Sequence, residues 1–350
     1  MIRILFVLVP FGFLSGGLFT RSQTISFVLA VLMVYAVNMV KERALMLFGV
    51  YAVLWVIVQH LAALLNPALI PISGAAMNQA IFFIFAFAMY AAVSQSRVDN
   101  NSYYNAICIA AILQSLIGVL QVFGIDLVMI ILPLFVDSIK DSQLGRAIGT
   151  LGNSNFYGGY IAISLPFFFR KHWKKFIPLL VFTLVPLTEA KISSAAIAAA
   201  LTGVIVYYRF WWVIGVSLLV SIGVFIYDFE SIISPSQRLA WWASTWHKII
   251  ASPKTFMFGY GPGVGTGYVF PIHNEWLECM FNFGAVGVVL LVAAVVRLTE
   301  GKDLILVAAL MAACVNCLGN YPMHLAPSAF LIIIILGLLE RTKGKKWLIT

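Results

Sequence analysis

Residues 276–297 read W-L-E-C-M-F-N-F-G-A-V-G-V-V-L-L-V-A-A-V-V-R. No Asp, Glu, Lys or Arg stands between Glu278 and Arg297. A helix needs about 20 mostly apolar residues to cross the hydrocarbon core of a bilayer, and this run supplies them. Similar runs recur along the whole chain. They predict spanning segments at roughly 4–20, 24–40, 44–65, 74–94, 104–124, 155–169, 176–188, 193–208, 211–228, 276–297, 303–319 and 325–340. The sixth and seventh are short for a full crossing, which leaves them tilted, broken or partly buried in protein.

Composition agrees. Of 350 residues, 62% are hydrophobic and 10% are charged, against roughly 25% charged in a soluble domain. Too few polar groups are present to cover a surface in water. With no linker or low-complexity tail, residues 1–350 read as a single transmembrane domain. It is all-α and polytopic, with about 12 transmembrane helices. The N-terminal run after Arg3 has no clear small-residue cleavage site, so it reads as the first spanning helix and not as a cleaved signal.

Lys and Arg set the orientation. With both termini cytoplasmic, 15 of the 22 basic residues fall inside, including the runs R-K-H-W-K-K at 170–175 and R-T-K-G-K-K at 341–346. The net charge of +9 is then a topology signal, and no nucleic-acid partner is expected. The seven outside cations are Arg21, Lys140, Arg146, Lys191, Arg238, Lys248 and Lys254.

Cys108, Cys279, Cys314 and Cys317 lie in or beside apolar runs. Cys314 and Cys317 form a lone C-x-x-C, but Leu318 stands where a haem-attachment motif needs His, and no second pair is present for zinc. They read as small core residues. Neither metal nor cofactor is expected.

Two outside loops are long, at about 125–154 and 229–275. Loops of that length in a compact domain are functional or disordered. The first ends G-R-A-I-G-T-L-G-N-S-N-F-Y-G-G-Y from Gly145. Arg146 precedes a Gly/Asn turn in which Gly149, Gly152, Asn153 and Asn155 suit tight turns and a helix N-cap. Such a helix start favours anions, and it equally suits an ordinary helix beginning with an interfacial Arg. Glu189 and Lys191 occupy a short outside turn, either solvated or within reach of a lipid phosphate.

The second loop begins S-P-S-Q-R-L-A-W-W-A-S-T-W-H-K at Ser234. Ser234 or Ser236 can cap a helix there. Arg238, Trp242 and Trp246 follow one another at helical spacing on one face. That short amphipathic helix can lie on the membrane surface as an aromatic belt, or its rings can stack on sugar faces. Glycines then alternate at 259, 261, 263, 265 and 267, without the G-K-[ST] of a phosphate-binding loop. The loop closes with His273, Asn274 and Glu275 where the tenth span begins, and Glu278 follows one turn on. Acids there suit the helix dipole. His273 beside a carboxylate suits a general base, and a structural helix-start His fits the same pattern. His60, His172 and His247 are weaker candidates, and His324 is a reserve one.

Three of these outside segments resemble the signatures of the O-antigen ligase and polymerase superfamily. They are G-R-x-x-G-T-x-G-N-x-N at 145, R-x-x-x-W with the later S-P and G-Y-G-P-G, and H-N-E-x-L-E followed by G-x-x-G. Their order matches, and the resemblance covers about 145–290. It implies transfer of a glycan from a polyprenyl diphosphate donor to an acceptor hydroxyl at the periplasmic face of a bacterial inner membrane, without nucleotide sugar or metal. Arg146, Arg238 and His273 fall on its motif positions as the implied catalytic residues. Lys191, Glu275, Glu278, Trp242, Asn153 and Asn274 complete the expected substrate-binding set. Where the family shows Ser-Arg-Gly, this chain has Ala190-Lys191-Ile192-Ser193, and a Lys offers a point charge in place of a bidentate fork. The expected partners are the lipid-linked glycan, membrane lipids and an acceptor, which is lipid A core for a ligase, a growing glycan for a polymerase, or a protein hydroxyl. The competing class is a lipid or polysaccharide flippase. Transporters often place ionisable groups within spans, whereas nearly all charges here fall in loops.

Overall fold

The computed structural model describes residues 42–65, 70–125, 147–151, 153–170, 172–184, 197, 200, 237–262, 274–300, 303–318, 322–324 and 326–342. Among them, all regular structure is helical. The order is α1 (Arg43–Leu65), α2 (Ile70–Gln95), α3 (Asn100–Val122), α4 (Ser154–Ser164), α5 (Ile177–Leu184), α6 (Gln237–Ile249), α7 (Pro253–Phe258), α8 (Glu275–Thr299), α9 (Leu304–Asn316) and α10 (Ala326–Arg341). Short 3₁₀ turns cover Leu165–Phe169, Lys174–Phe176 and Pro322–His324. The third to seventh and tenth to twelfth apolar runs therefore all carry helix close to their expected bounds. The first, second, eighth and ninth lie largely or wholly outside the described residues. Both α3 and α8 are long and apolar enough to cross a membrane.

The chain groups into two compact units. One comprises Met1–Gly17, Ser96–Asp228 and Lys302–Leu338, and the other Leu18–Gln95, Phe229–Gly301 and Leu339–Thr350.

In the first unit, α4 packs against α3 and α9. It has 11 residues, too few to cross a bilayer, and nearly every side chain in it is buried. The sixth apolar run is thus a broken helix inside protein, continued by the Leu165–Phe169 turn that carries Pro166. Small residues allow the close approach. A Cβ on Gly159 would stand 2.2 Å from the Asn316 side-chain nitrogen at the end of α9, and Ala308, Ala309, Ala312 and Ala313 are all buried on α9.

One end of this unit is tied by polar groups. Asp99 caps α3 by accepting from Asn101 N at 3.1 Å. Asp303 caps α9 by accepting from Ile305 N at 3.0 Å, and its other oxygen accepts the Tyr104 hydroxyl at 2.7 Å. The Arg170 guanidinium lies over the Tyr104 ring, 4.8 Å from its centroid, and donates to Asn101 Oδ1. Trp173 Nε1 donates to Asn105 Oδ1 at 3.0 Å. Tyr104 is buried, and replacing it with phenylalanine deletes the hydroxyl that donates to Asp303 Oδ2. Tyr104→Phe is expected to lower stability by about 1.5–3 kcal/mol, the range for a hydrogen bond to a charged group. The midpoint of thermal unfolding in detergent, followed by tryptophan fluorescence, measures it. An unchanged midpoint would remove the bond from the account.

In the second unit, α1, α2 and α8 meet through aromatic side chains. The Phe283 ring stands 5.2 Å from Phe48, 6.1 Å from Phe83 and 6.2 Å from Tyr51, in tilted or edge-on arrangements. The short helices α6 and α7 pack against α8.

Candidate functional site

The α8 helix organises the second unit's part of the predicted site. Asn274 caps it, its side chain accepting from Leu277 N at 2.9 Å. Glu275 and Glu278 follow in the first turn, where carboxylates complement the helix dipole. Both are half-buried, and both interact with neighbouring groups.

Further along, α8 is broken. Gly284 has φ 63° and ψ −169°, a conformation open almost only to glycine. The break deprives carbonyls of the preceding turn of their helical donors, and unsatisfied carbonyls are costly in an apolar setting. Replacement donors come from elsewhere in the chain. Tyr260 N donates to Phe281 O at 2.8 Å, and Gly261 N donates to Asn282 O at 2.8 Å. The Tyr51 hydroxyl reaches Phe283 O at 3.2 Å and Phe258 O at 2.9 Å, placing its one proton between two carbonyls. The Tyr260 ring stacks on Phe281 with centroids 4.7 Å apart.

A small hairpin of helices delivers Tyr260 and Gly261 to that break. Ser252 and Thr255 form a capping box around α7, with Pro253 in its first turn. Thr255 Oγ1 also approaches Ile249 O at 2.9 Å, joining α7 to the end of α6. Gly259 ends α7 with φ 75°. The Tyr260 hydroxyl then donates to Lys248 O at 2.9 Å. Ile249 and Phe281 are buried, with Trp242, Tyr260, Leu277 and Met280 packed around them.

This arrangement brings two of the sequence segments onto one frame. Gly261 lies beside Asn282, and Asn274 caps the same helix eight positions earlier, about 12 Å up its axis at 1.5 Å per residue. Tyr260 and Gly261 of the glycine-rich stretch and Asn274 and Glu275 of the H-N-E stretch therefore meet α8 at two heights. Trp242 of the amphipathic helix packs against the same turns. Trp246, expected on the same face, is 44% exposed, and His247 and Lys248 beside it are also exposed.

The remaining predicted residues divide as follows. Asn153 is in the first unit and caps α4, its side chain accepting from Asn155 N at 2.8 Å, as its place before Ser154 suggested. Arg238 lies on α6, although its side chain falls outside the described residues. Arg146, Lys191 and His273 lie outside them altogether. Among the described residues, no group of three or more His, Cys, Asp or Glu side chains is placed to hold a metal ion, and the four cysteines are free thiols.

Sequence reasoning passed over three contributors. Helix α7 was readable from S-P-K-T, the capping-box spacing with Pro at the first helical position. Tyr51 sits in an unremarkable apolar run, with no local signal for its role. Gln114 and Gln121 are uncommon inside so apolar a helix, and that was the available clue.

No protein-family model, curated protein or solved structure matches this chain.

Proposed function

We propose that this chain is a polytopic inner-membrane glycosyltransferase. In this reading about 12 helices cross the bilayer, both termini are cytoplasmic, and the 229–275 loop faces the periplasm. It moves a glycan from a polyprenyl diphosphate to an acceptor hydroxyl, and O-antigen ligase, with a lipid A core acceptor, is the foremost form. Polymerase and protein O-oligosaccharyltransferase activities share the same donor chemistry.

The observation that supports it is the α8 frame. Tyr260 and Gly261, in the segment that resembles the second signature, hydrogen-bond through their backbone to α8, the broken helix that starts within the segment resembling the third. Broken helices and irregular backbone occur at membrane depth where they are buried in protein or line a cavity.

The chemistry follows from the residue types. Arg146 and Arg238 bind the donor diphosphate, with Lys191 assisting, and stabilise charge on the leaving group. His273 takes the proton from the acceptor hydroxyl as that oxygen attacks the anomeric carbon. The bond from the anomeric carbon to the diphosphate oxygen breaks, and polyprenyl diphosphate leaves with the electron pair. Glu275 or Glu278 orients the His or the acceptor. The donor is already activated, so no nucleotide is consumed.

The test is reconstitution of the purified full chain with an undecaprenyl-diphosphate oligosaccharide and three acceptors in turn: lipid A core, a second lipid-linked glycan, and a hydroxyl-bearing protein. Mass analysis of the product is expected to show the glycan on one acceptor, lipid A core first. Movement of the intact donor across the bilayer without any transfer would replace this reading with a flippase.

A further inference from the structure

Helix α3 carries a polar face that grips the turn immediately after Arg146. Gln114, Gly118 and Gln121 are spaced by four and three residues, so they lie along one side of the helix. Gln121 Oε1 accepts from Ile148 N at 3.0 Å and from Gly149 N at 2.8 Å, and Gln121 Nε2 donates back to Gly149 O at 2.9 Å. Gln114 Oε1 accepts from Thr150 N at 3.0 Å, and Gln114 Nε2 donates to Thr150 Oγ1 at 2.6 Å. Both glutamines are buried, with exposures of 0% and 4%.

The fit requires glycine at two points. A Cβ on Gly118 would stand 2.7 Å from the Tyr157 hydroxyl and 3.0 Å from the Ala147 Cβ. Gly149 has φ +54°, and a Cβ there would stand 2.3 Å from Gln114 Oε1. Ala147 and Ile148 are buried beside it, Leu151 N closes the turn on Ile148 O at 3.1 Å, and Asn153 starts α4. The backbone from 147 to 150 is thus specified by side chains about 30 positions earlier in the sequence. A long apolar helix gains nothing from two buried amides for crossing a membrane. Their polar atoms are matched to this turn.

We propose that Gln114 and Gln121 are positioning residues for donor binding: they fix the 147–150 turn, the residues that directly follow Arg146 in the chain. This rests on the glycosyltransferase reading above. The glutamines touch neither donor nor acceptor. They act through the turn.

The experiment uses full-length protein in nanodiscs, with turnover measured against the concentration of undecaprenyl-diphosphate oligosaccharide and, separately, of the acceptor that the wild type uses. Gln121→Leu is expected to raise the donor KM about tenfold, the effect of leaving buried amides without acceptors, with the acceptor KM unchanged. Gln121→Glu keeps an acceptor for both amides and is expected to recover part of the loss. It carries the test if the leucine variant does not fold. Backbone amide exchange at 148–150 is expected to accelerate in the same order. A donor KM equal to wild type, or a kcat that falls only with the folded fraction, overturns the positioning role. A wild-type protein that turns over no lipid-linked donor overturns the functional reading and this proposal together. A wild type that turns over while the variants keep its donor KM overturns the positioning role alone.

Discussion

Replacing Gly284 with leucine is expected to remove most of the folded protein. Its φ of 63° and ψ of −169° already exclude side-chain-bearing residues, at roughly 1–3 kcal/mol. The larger effect is steric. A Cβ there would meet Met257 O at 2.4 Å, Met257 C at 2.5 Å and Gly259 N at 2.6 Å. All three are backbone atoms and cannot rotate away. The opposite side is equally constrained, since a Cβ on Gly259 would stand 2.5 Å from both Asn282 C and Asn282 O. Two backbones meet at van der Waals distance because neither glycine carries a side chain. Separating them would also break the Tyr260–Phe281 and Gly261–Asn282 hydrogen bonds. Strain and overpacking together put the loss at about 3–5 kcal/mol, a large share of the stability of an ordinary domain. Gly124 is the internal control. Its φ is +79°, but nothing lies within 4 Å of a Cβ there. Gly124→Ala should therefore cost only about 1–2 kcal/mol of backbone preference. Heating detergent-solubilised protein and measuring the monodisperse fraction separates the two. If Gly284→Leu melts with the wild type, the contact between α7 and α8 does not hold the fold together.

The contrast between those two glycines explains how much was readable in advance. Helices such as α3 and α8 are declared by their own residues, because an apolar run of membrane length has few other solutions. Caps are declared almost as locally: Asn153 and Asn274 are short polar residues placed immediately before a helical pattern. The break at Gly284 is different. In sequence it is one small residue in F-N-F-G-A-V-G, indistinguishable from a glycine that lets two helices pack closely. What makes the break tolerable is the set of donors from Tyr51, Tyr260 and Gly261, and all three come from a distant helix or across the intervening loop. Hydropathy contains no term for such pairings. The same holds for Gln121 and the 148–149 amides, which join positions 27 and 28 residues apart. Trp242 and Trp246 show the limit from the other side. Helical spacing put both on one face, but the partner, Ile249 with Phe281, covers one ring and leaves the other exposed.

The residues proposed for catalysis carry the remaining large effect, and there His273 and Arg238 should fail differently. His273→Ala is expected to lower transfer by roughly 10²–10⁴-fold, the contribution of a positioned general base. Donor affinity should stay near wild type, because an imidazole that accepts a proton from the acceptor makes no essential contact with the diphosphate. Arg238→Ala is expected to weaken the donor complex as well as turnover, since a guanidinium that neutralises leaving-group charge binds the ground-state diphosphate too. Arg238→Lys discriminates further. It keeps the charge but loses the planar fork, so it should restore donor binding more than it restores turnover if bidentate contact matters in the transition state. Initial rates against donor concentration, together with a direct binding measurement using undecaprenyl diphosphate, separate these outcomes. His273→Ala protein with wild-type turnover ends the base assignment. Arg238→Ala protein with wild-type donor affinity and turnover ends the diphosphate role, and the exposed aromatic face of α6 would then be better read as a belt at the headgroup level. The pair is informative because α6 and the start of α8 share one packed cluster. A general loosening of that cluster would depress both variants alike, whereas the proposed chemistry requires them to diverge.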